Sequence, residues 1–253
     1  DNKDLLSDVD DFSQAIIDNA YEQTVFVASW QLPTHYRGYG MMDWKPNLGI
    51  TQLLAQCNLR LSERFSDHDN IFLLDSTRWL QGIAEPYNSK MWYAAKVPFV
   101  MQVFEHAAND IAAMCYGIAG KSRRLIVLDL DNTLWGGIIG ETGWENIRLG
   151  GHDHIGEAYK DFQRELKALS QLGIQLALAS KNDESVVMEA FDKHPEMLLK
   201  RDDLVSWRIN WNDKAVNIMD MVDEINLGMD SVIFIDDNPA ERIRVRDSLE
   251  GIL

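Results

Sequence analysis

LIVLDLDNTLW, residues 125–135, begins as an apolar run and ends in acidic and hydroxyl-bearing residues. Leu125–Leu130 reads as a strand covered on both faces, the pattern of a parallel sheet between helices. Asp129, Asp131 and Thr133 fall at or just past its carboxyl end, where open α/β sheets place ligands.

The same rhythm repeats downstream. After a glycine-rich turn, Gly136–Gly151, an amphipathic helix is predicted over 157–172 and closed by Gly173 at the C′ position. A strand follows at 175–180, a helix at 184–193 and a strand at 205–209. A helix over 213–226, ended by Gly228, leads to a strand at 231–236 and a last helix at 240–249. Upstream, residues 24–29 and 71–75 read as buried strands. Between them lies a polar stretch rich in Gly, Pro and aromatics (30–47), then a helix at 49–64 with Leu53, Leu54, Cys57 and Leu61 on one side. A long helix is predicted over 99–118. The fold class expected is α/β: a doubly wound, Rossmann-like parallel sheet over 121–253, preceded by a smaller, partial α/β layer over 1–120. Gly117–Ser122 marks the boundary.

With 46% apolar and 25% charged residues the composition is ordinary for a globular chain. No window approaches the ~18 uncharged apolar residues of a membrane span, and the start does not resemble a secretion signal. Asp1 in place of Met points to a piece of a longer polypeptide. The formal charge of −16 argues against nucleic acid and anionic membranes as partners, because both need a cationic footprint. Two cysteines without ligand spacing suit a reducing cytoplasm.

Polar residues gather at four strand ends: Asp129, Asp131 and Thr133; Ser180 and Lys181; Lys214, opening the helix after the third strand; and Asp236 with Asp237. Residues two apart at a strand end project to the same side, so Asp129 and Asp131 reach one centre. One carboxylate can attack phosphorus while the other protonates the leaving oxygen and later activates water. Crowded carboxylates need a cation, and oxygen ligands of this kind suit Mg²⁺. A lysine and a hydroxyl would hold the phosphoryl oxygens. Lys181 and Asn182 fit a strand-end turn as well as a substrate contact. His152 and His154 fit solvated loop residues or substrate contacts.

DLDNTLW (129–135), ASKND (179–183), WNDK (211–214) and IDDNPAE (235–241) resemble the four motifs of the haloacid dehalogenase superfamily. The longer strings LDLDNTLWGGIIGE, SWRINWNDK and FIDDNPAER resemble its FkbH-like branch over about 122–246. MWYAAKVPF (91–99) resembles the SGNH-hydrolase-like region that precedes that domain. The resemblance implies Asp129 as nucleophile and Asp131 as general acid/base. Thr133, Ser180 and Lys214 would serve the phosphoryl group, Thr133 by orienting the first motif. Mg²⁺ would take Asp129, the Asp131 main-chain carbonyl and an acid of the last motif, Asp237 ahead of Asp236.

Cap domains in this superfamily lie between the motifs. Only 46 residues separate Thr133 from Ser180 and 33 separate Ser180 from Lys214, so no large cap is expected. Gly136–Gly151 forms a flap or a loop. An uncapped site suits a bulky or macromolecular substrate, or one covered by the N-terminal domain. FkbH-like proteins are associated with dephosphorylating a glyceryl unit from 1,3-bisphosphoglycerate and loading it on an acyl carrier protein in polyketide and related biosynthesis. The resemblance therefore implies a transferase and phosphatase with a phosphorylated three-carbon substrate.

Two departures bear on that expectation. Family members often carry Cys just before the second-motif Ser; here the position is Ala179, while Cys57 and Cys115 are both expected on buried apolar helix faces. The last motif is followed by one helix where the family normally continues, which fits a truncated chain or a domain cut from a larger synthase. Alternatives are a plain phosphohydrolase acting on a small phosphoester or phosphorylated saccharide, and a non-enzymatic receiver-like or carrier-binding domain. Asp131 beside Asp129, able to turn over a phosphoenzyme, favours catalysis.

Overall fold

In β3 (Leu125–Leu128) all four side chains are buried, and they alternate between two cores. Ile126 and Leu128 point into one, Leu125 and Val127 into the other, the period of two that a pleated strand imposes. The computed structural model describes residues 2–32, 36–151 and 153–253, and the chain divides between Ile118 and Ala119 into two units.

In the first unit, α1 (Asn2–Ala20) leads to β1 (Val25–Ala28), α2 (Ile50–Phe65), β2 (Ile71–Leu74), α3 (Ser89–Ala95) and α4 (Met101–Ile118). β1 and β2 pair in parallel, Val25 opposite Ile71. A small core forms from Val9, Ala20, Val27, Cys57, Leu61, Phe65 and Ile71. Cys57 is buried there. Cys115 is exposed on α4, contrary to the buried apolar position expected for it.

The second unit holds the site. After β3 come α5 (Ile139–Thr142), α6 (His154–Gln171), β4 (Gln175–Ser180), α7 (Glu184–Lys193), β5 (Leu204–Ile209), α8 (Lys214–Ile225), β6 (Val232–Ile235) and α9 (Pro239–Ser248). The four strands are all parallel in the order β5-β4-β3-β6. Leu166 of α6 and Val187, Ala190 and Phe191 of α7 cover one face. Ala215, Ile218 and Met221 of α8 and Val245 of α9 cover the other. The expected doubly wound α/β class is therefore found, with β3 at the centre. The chain reverses its direction of winding there, which opens a crevice at the carboxyl end of β3.

Local chemistry explains the element ends. Asp153 accepts from the Ile155 and Gly156 amides and starts α6. Gly173 stops it at φ +94°, with Ile174 N donating to Leu169 O. α8 ends within one residue of the expected bound, but Asn226 rather than Gly228 takes the left-handed conformation that stops it, at φ +58°. The glycine-rich segment is not an open loop among the described residues. Gly136 and Arg148 exchange main-chain hydrogen bonds, enclosing α5 and a turn of 3₁₀ helix. Neither this segment nor the β4–β5 connection contains a cap domain. No helix among the described residues is long and apolar enough to cross a membrane.

Candidate active site

β3 delivers Asp129 to the crevice, its amide bonded to Ile235 O of β6 at 2.9 Å. The side chain is buried, and its Oδ1 accepts from Lys214 Nζ at 2.7 Å. Lys214 is also buried at the first turn of α8, behind the Asp213 cap, and its Nζ donates to Asp236 Oδ2 at 2.6 Å. One ammonium thus bridges the ends of β3 and β6. It also lies 5.9 Å from the Phe234 ring centroid, a further favourable contact for a cation.

Burial pushes the Asp129 carboxyl above the ordinary carboxylate range, and the Asp236 charge adds to that. Lys214 and the Ser180 hydroxyl pull it back down. Burial also disfavours the Lys214 ammonium, but the charges and hydrogen bonds of Asp129 and Asp236 outweigh it and hold the lysine above its usual value. Lys214 remains a cation at neutral pH.

The two last-motif acids take different places. Asp236 is buried, its Oδ1 accepting from Asn238 N at 2.8 Å and its Oδ2 from Lys214. Asp237 is exposed, and its amide donates to Thr133 Oγ1 at 3.1 Å. Thr133 therefore ties the first motif to the last. Arg242 donates to the main-chain oxygens of both Asp236 and Asp237, from within α9.

Asp129, Asp236 and Asp237 bring carboxylate oxygens within 4.8 Å of one another. Three carboxylates against one ammonium leave an excess negative charge, and hard oxygen donors at this spacing match a divalent cation such as Mg²⁺. The donor set fits the expected ion. The Asp131 carboxylate is not in that group. Its Oδ1 accepts from Trp135 Nε1 and Ile139 N, both at 3.0 Å, and its Oδ2 from Asn182 Nδ2 at 3.0 Å.

Ser180 is buried at the end of β4, and its Oγ accepts from Asn182 Nδ2 at 3.2 Å. Asn182 is buried as well, not left in a solvated turn. Lys181 is exposed and paired with Glu241 Oε1 at 2.6 Å. Asp129, Asp131, Ser180, Lys181, Asn182, Lys214, Asp236, Asp237 and Glu241 line one cleft of about 450 Å³, with Asn132, Ile138, Asn238 and Pro239 at its walls, whereas Thr133 and Arg242 stand behind it. His154 is exposed beside Asp153 and does not line the cleft. His152 lies outside the described residues.

Thr133, Ser180 and Asn182 stand out in the sequence beside the charged residues, but other groups that hold the site do not. The Trp135 indole, the Ile139 amide and the Arg242 guanidinium carried no signal of their own. Asn182 did carry one, since it stands two residues after Ser180, the spacing that had linked Asp129 to Asp131.

Residues 124–249 match the NLI interacting factor-like phosphatase family. The structure superposes at TM-score 0.89 on the N-terminal part of BF1531 from Bacteroides fragilis, which contains a phosphatase domain and was crystallised with Mg. That match has 30% identity over 99% of this chain and 67% of that one. Two further matches are more distant. The hypothetical protein XCC2798 from Xanthomonas campestris has 21% identity and a TM-score of 0.34 over 51% of this chain and 62% of that one. The HAD-superfamily hydrolase GSU2069 from Geobacter sulfurreducens PCA has 12% identity and a TM-score of 0.34 over 50% and 86%. No curated protein matches the chain. A parallel sheet with carboxylates, a lysine and a hydroxyl at its strand ends defines a phosphatase domain of the haloacid dehalogenase type. The chain belongs to that superfamily, with its NLI interacting factor-like phosphatase domain at residues 124–249.

Proposed function

We propose that the second unit is a Mg²⁺-dependent phosphohydrolase that works through an aspartyl-phosphate at Asp129. The observation that carries this is the Asp129–Lys214–Asp236 arrangement, a buried carboxylate and its counter-ion at the mouth of the central strand. Asp129, the Asp131 main-chain carbonyl and Asp237 would hold the ion, with Asp236 behind them holding Lys214. Bound there, Mg²⁺ offsets negative charge on the phosphoryl oxygens.

An Asp129 oxygen attacks phosphorus while the bond to the leaving oxygen breaks and Asp131 gives that oxygen a proton. Asp131 then takes a proton from water as the water oxygen displaces Asp129 and frees inorganic phosphate. Lys214 and the Ser180 hydroxyl stabilise the transferring group. Thr133 serves indirectly, by fixing Asp237. In the test, Asp131→Asn is incubated with Mg²⁺ and a simple phosphoester and its intact mass is measured. A phosphoryl adduct on Asp129 is expected; normal turnover with no adduct would remove the assignment.

For the substrate, the charge of the cleft favours a small phosphoester with a neutral, hydroxylated leaving group, such as a phosphorylated saccharide. Five lining carboxylates (Asp129, Asp131, Asp236, Asp237, Glu241) face two ammoniums (Lys181, Lys214). A second anionic group on the substrate would meet repulsion there. The glyceryl-transfer reading, with 1,3-bisphosphoglycerate as donor and an acyl carrier protein as acceptor, rests on the FkbH-like motif strings. Against it stands Ala179, which is buried in the core beneath α8 and offers no thiol. Mass spectrometry of a carrier protein incubated with the chain, Mg²⁺ and 1,3-bisphosphoglycerate decides between them. A glyceryl adduct supports transfer, whereas phosphate release alone supports hydrolysis. The SGNH-like character of the first unit and a cytoplasmic location are part of the same reading; the unpaired Cys57 and Cys115 support the latter.

A further inference from the structure

The phosphatase reading gives Asp131 two proton transfers, and the structure surrounds its carboxylate with donors on both oxygens. Trp135 Nε1 and Ile139 N serve Oδ1; one N–H of the Asn182 amide serves Oδ2. The other N–H of that amide serves Ser180 Oγ at 3.2 Å. The nitrogen of the Asn182 amide, which only donates, faces both Asp131 Oδ2 and Ser180 Oγ. Asn182 is 6% exposed, and water has little access to replace it.

Two consequences follow from this one group. With partners on both oxygens, from the Trp135–Ile139 segment and from the β4–α7 turn, the plane and tilt of the Asp131 carboxylate are set. Ser180 Oγ is occupied as an acceptor by Asn182, so its own O–H turns to the acceptor on the other side, Asp129, where the phosphoryl group forms. We propose that Asn182 is a positioning residue that aims both the acid/base carboxylate of Asp131 and the hydroxyl of Ser180 through a single amide. The proposal rests on the phosphatase reading above and adds to it a residue that touches neither phosphorus nor the ion.

A misplacement of about 1 Å in a reacting group can cost roughly a hundredfold in rate. Asn182→Ala removes both donors. Asn182→Asp is nearly the same size but puts an acceptor where both neighbours need a donor, so it is expected to be the more damaging of the two.

The test measures single-turnover release of the leaving group from two phosphoesters, in the wild-type and Asp131→Asn backgrounds. One ester has a p-nitrophenolate leaving group, which departs with little help from an acid. The other has an alkyl alcohol, which needs the proton. Asn182→Ala is expected to slow the alkyl ester by about 30- to 100-fold and the nitrophenyl ester by about threefold at most. In the Asp131→Asn background only the share exerted through Ser180 remains, so the alkyl-ester loss should shrink to that of the nitrophenyl ester, about threefold at most. Equal losses on both esters, or the same alkyl-ester loss in both backgrounds, would overturn the proposal while leaving the acid/base role of Asp131 standing. If Asp131→Asn alone leaves the alkyl ester unaffected, the acid/base reading fails first and this proposal with it. Should Asn182→Ala not fold, Asn182→Ser, which retains one donor, is measured in the same way and judged by the same contrast between esters.

Discussion

The two units end their parallel strands in different ways. In the first, β1 and β2 bring Ser29 and Ser76 together, and the polar groups satisfy each other. The hydroxyls lie 3.1 Å apart, Ser76 N donates to Ser29 Oγ at 3.0 Å, and Ser76 Oγ donates to Ser29 O at 2.7 Å. In the second, the strand ends bring carboxylates together in excess of cations, with Lys214 shared by two of them and Asp237 exposed beside them. Polar residues at the carboxyl end of a sheet are thus not enough to make a site. What separates the regions is whether the local charge closes on itself, and an unbalanced set calls for something from outside.

The sharpest way to break this contrast is to remove the nucleophile. Asp129→Asn is expected to lower Mg²⁺-dependent phosphate release from a generic phosphoester by at least about a thousandfold. Unchanged turnover would place the chemistry elsewhere. Next in size is Lys214→Met, which strands two buried carboxylates. We expect a loss of about 3–5 kcal/mol in denaturant unfolding of the second unit; a loss under about 1 kcal/mol would mean that the pair is not an interior one. The matching change in the first unit is far milder. Ser76→Ala should cost about 1 kcal/mol and leave phosphate release unaltered. An equal effect of Ser76→Ala on activity would erase the distinction between the units.

The smallest effect concerns His194, at the end of α7. Its Nδ1 accepts from Glu196 N at 3.3 Å, and burial holds its pKa below the usual histidine value, with Glu196 pulling partly the other way. The unfolded chain therefore takes up the proton first as pH falls. Stability contributed by neutral His194 is present above about pH 6.5, the unfolded value, and is lost as pH drops through the lower folded one. Thermal melts between pH 7.5 and about 5 should show this slope, and His194→Gln should flatten it; identical slopes would remove the assignment.

Much of this was legible in the sequence because burial and chemistry alternate so sharply there. Gln175–Ser180 and Glu184–Lys193 are predicted at the bounds the structure gives them. Both faces of the sheet are covered, and an apolar run ending in Ser180 leaves little choice. α1 passed unnoticed, since its buried face is sparse: of its residues with described side chains, Val9, Ser13 and Ala20 are buried. Asn226 displaced Gly228 as the end of α8 because Asn tolerates the left-handed region almost as a glycine does. Cys115 looked buried from its apolar neighbours, yet α4 turns that face to solvent. The charged members of the cleft were visible one by one. Their mutual bonding, such as Asp131 to Trp135 and Asn182, depends on how separate turns meet in space, and no spacing along the chain encodes that.

The hydroxyl of Thr133, bonded to the Asp237 amide, has a practical consequence. It helps hold the acidic wall in place by hydrogen bonding, so the polypeptide keeps three carboxylates crowded round one ammonium even with no divalent ion bound. That crowding is stored as internal repulsion, and whichever cation fits best relieves the most of it. Melting temperature then becomes a gauge that ranks candidate ions directly, with no substrate required.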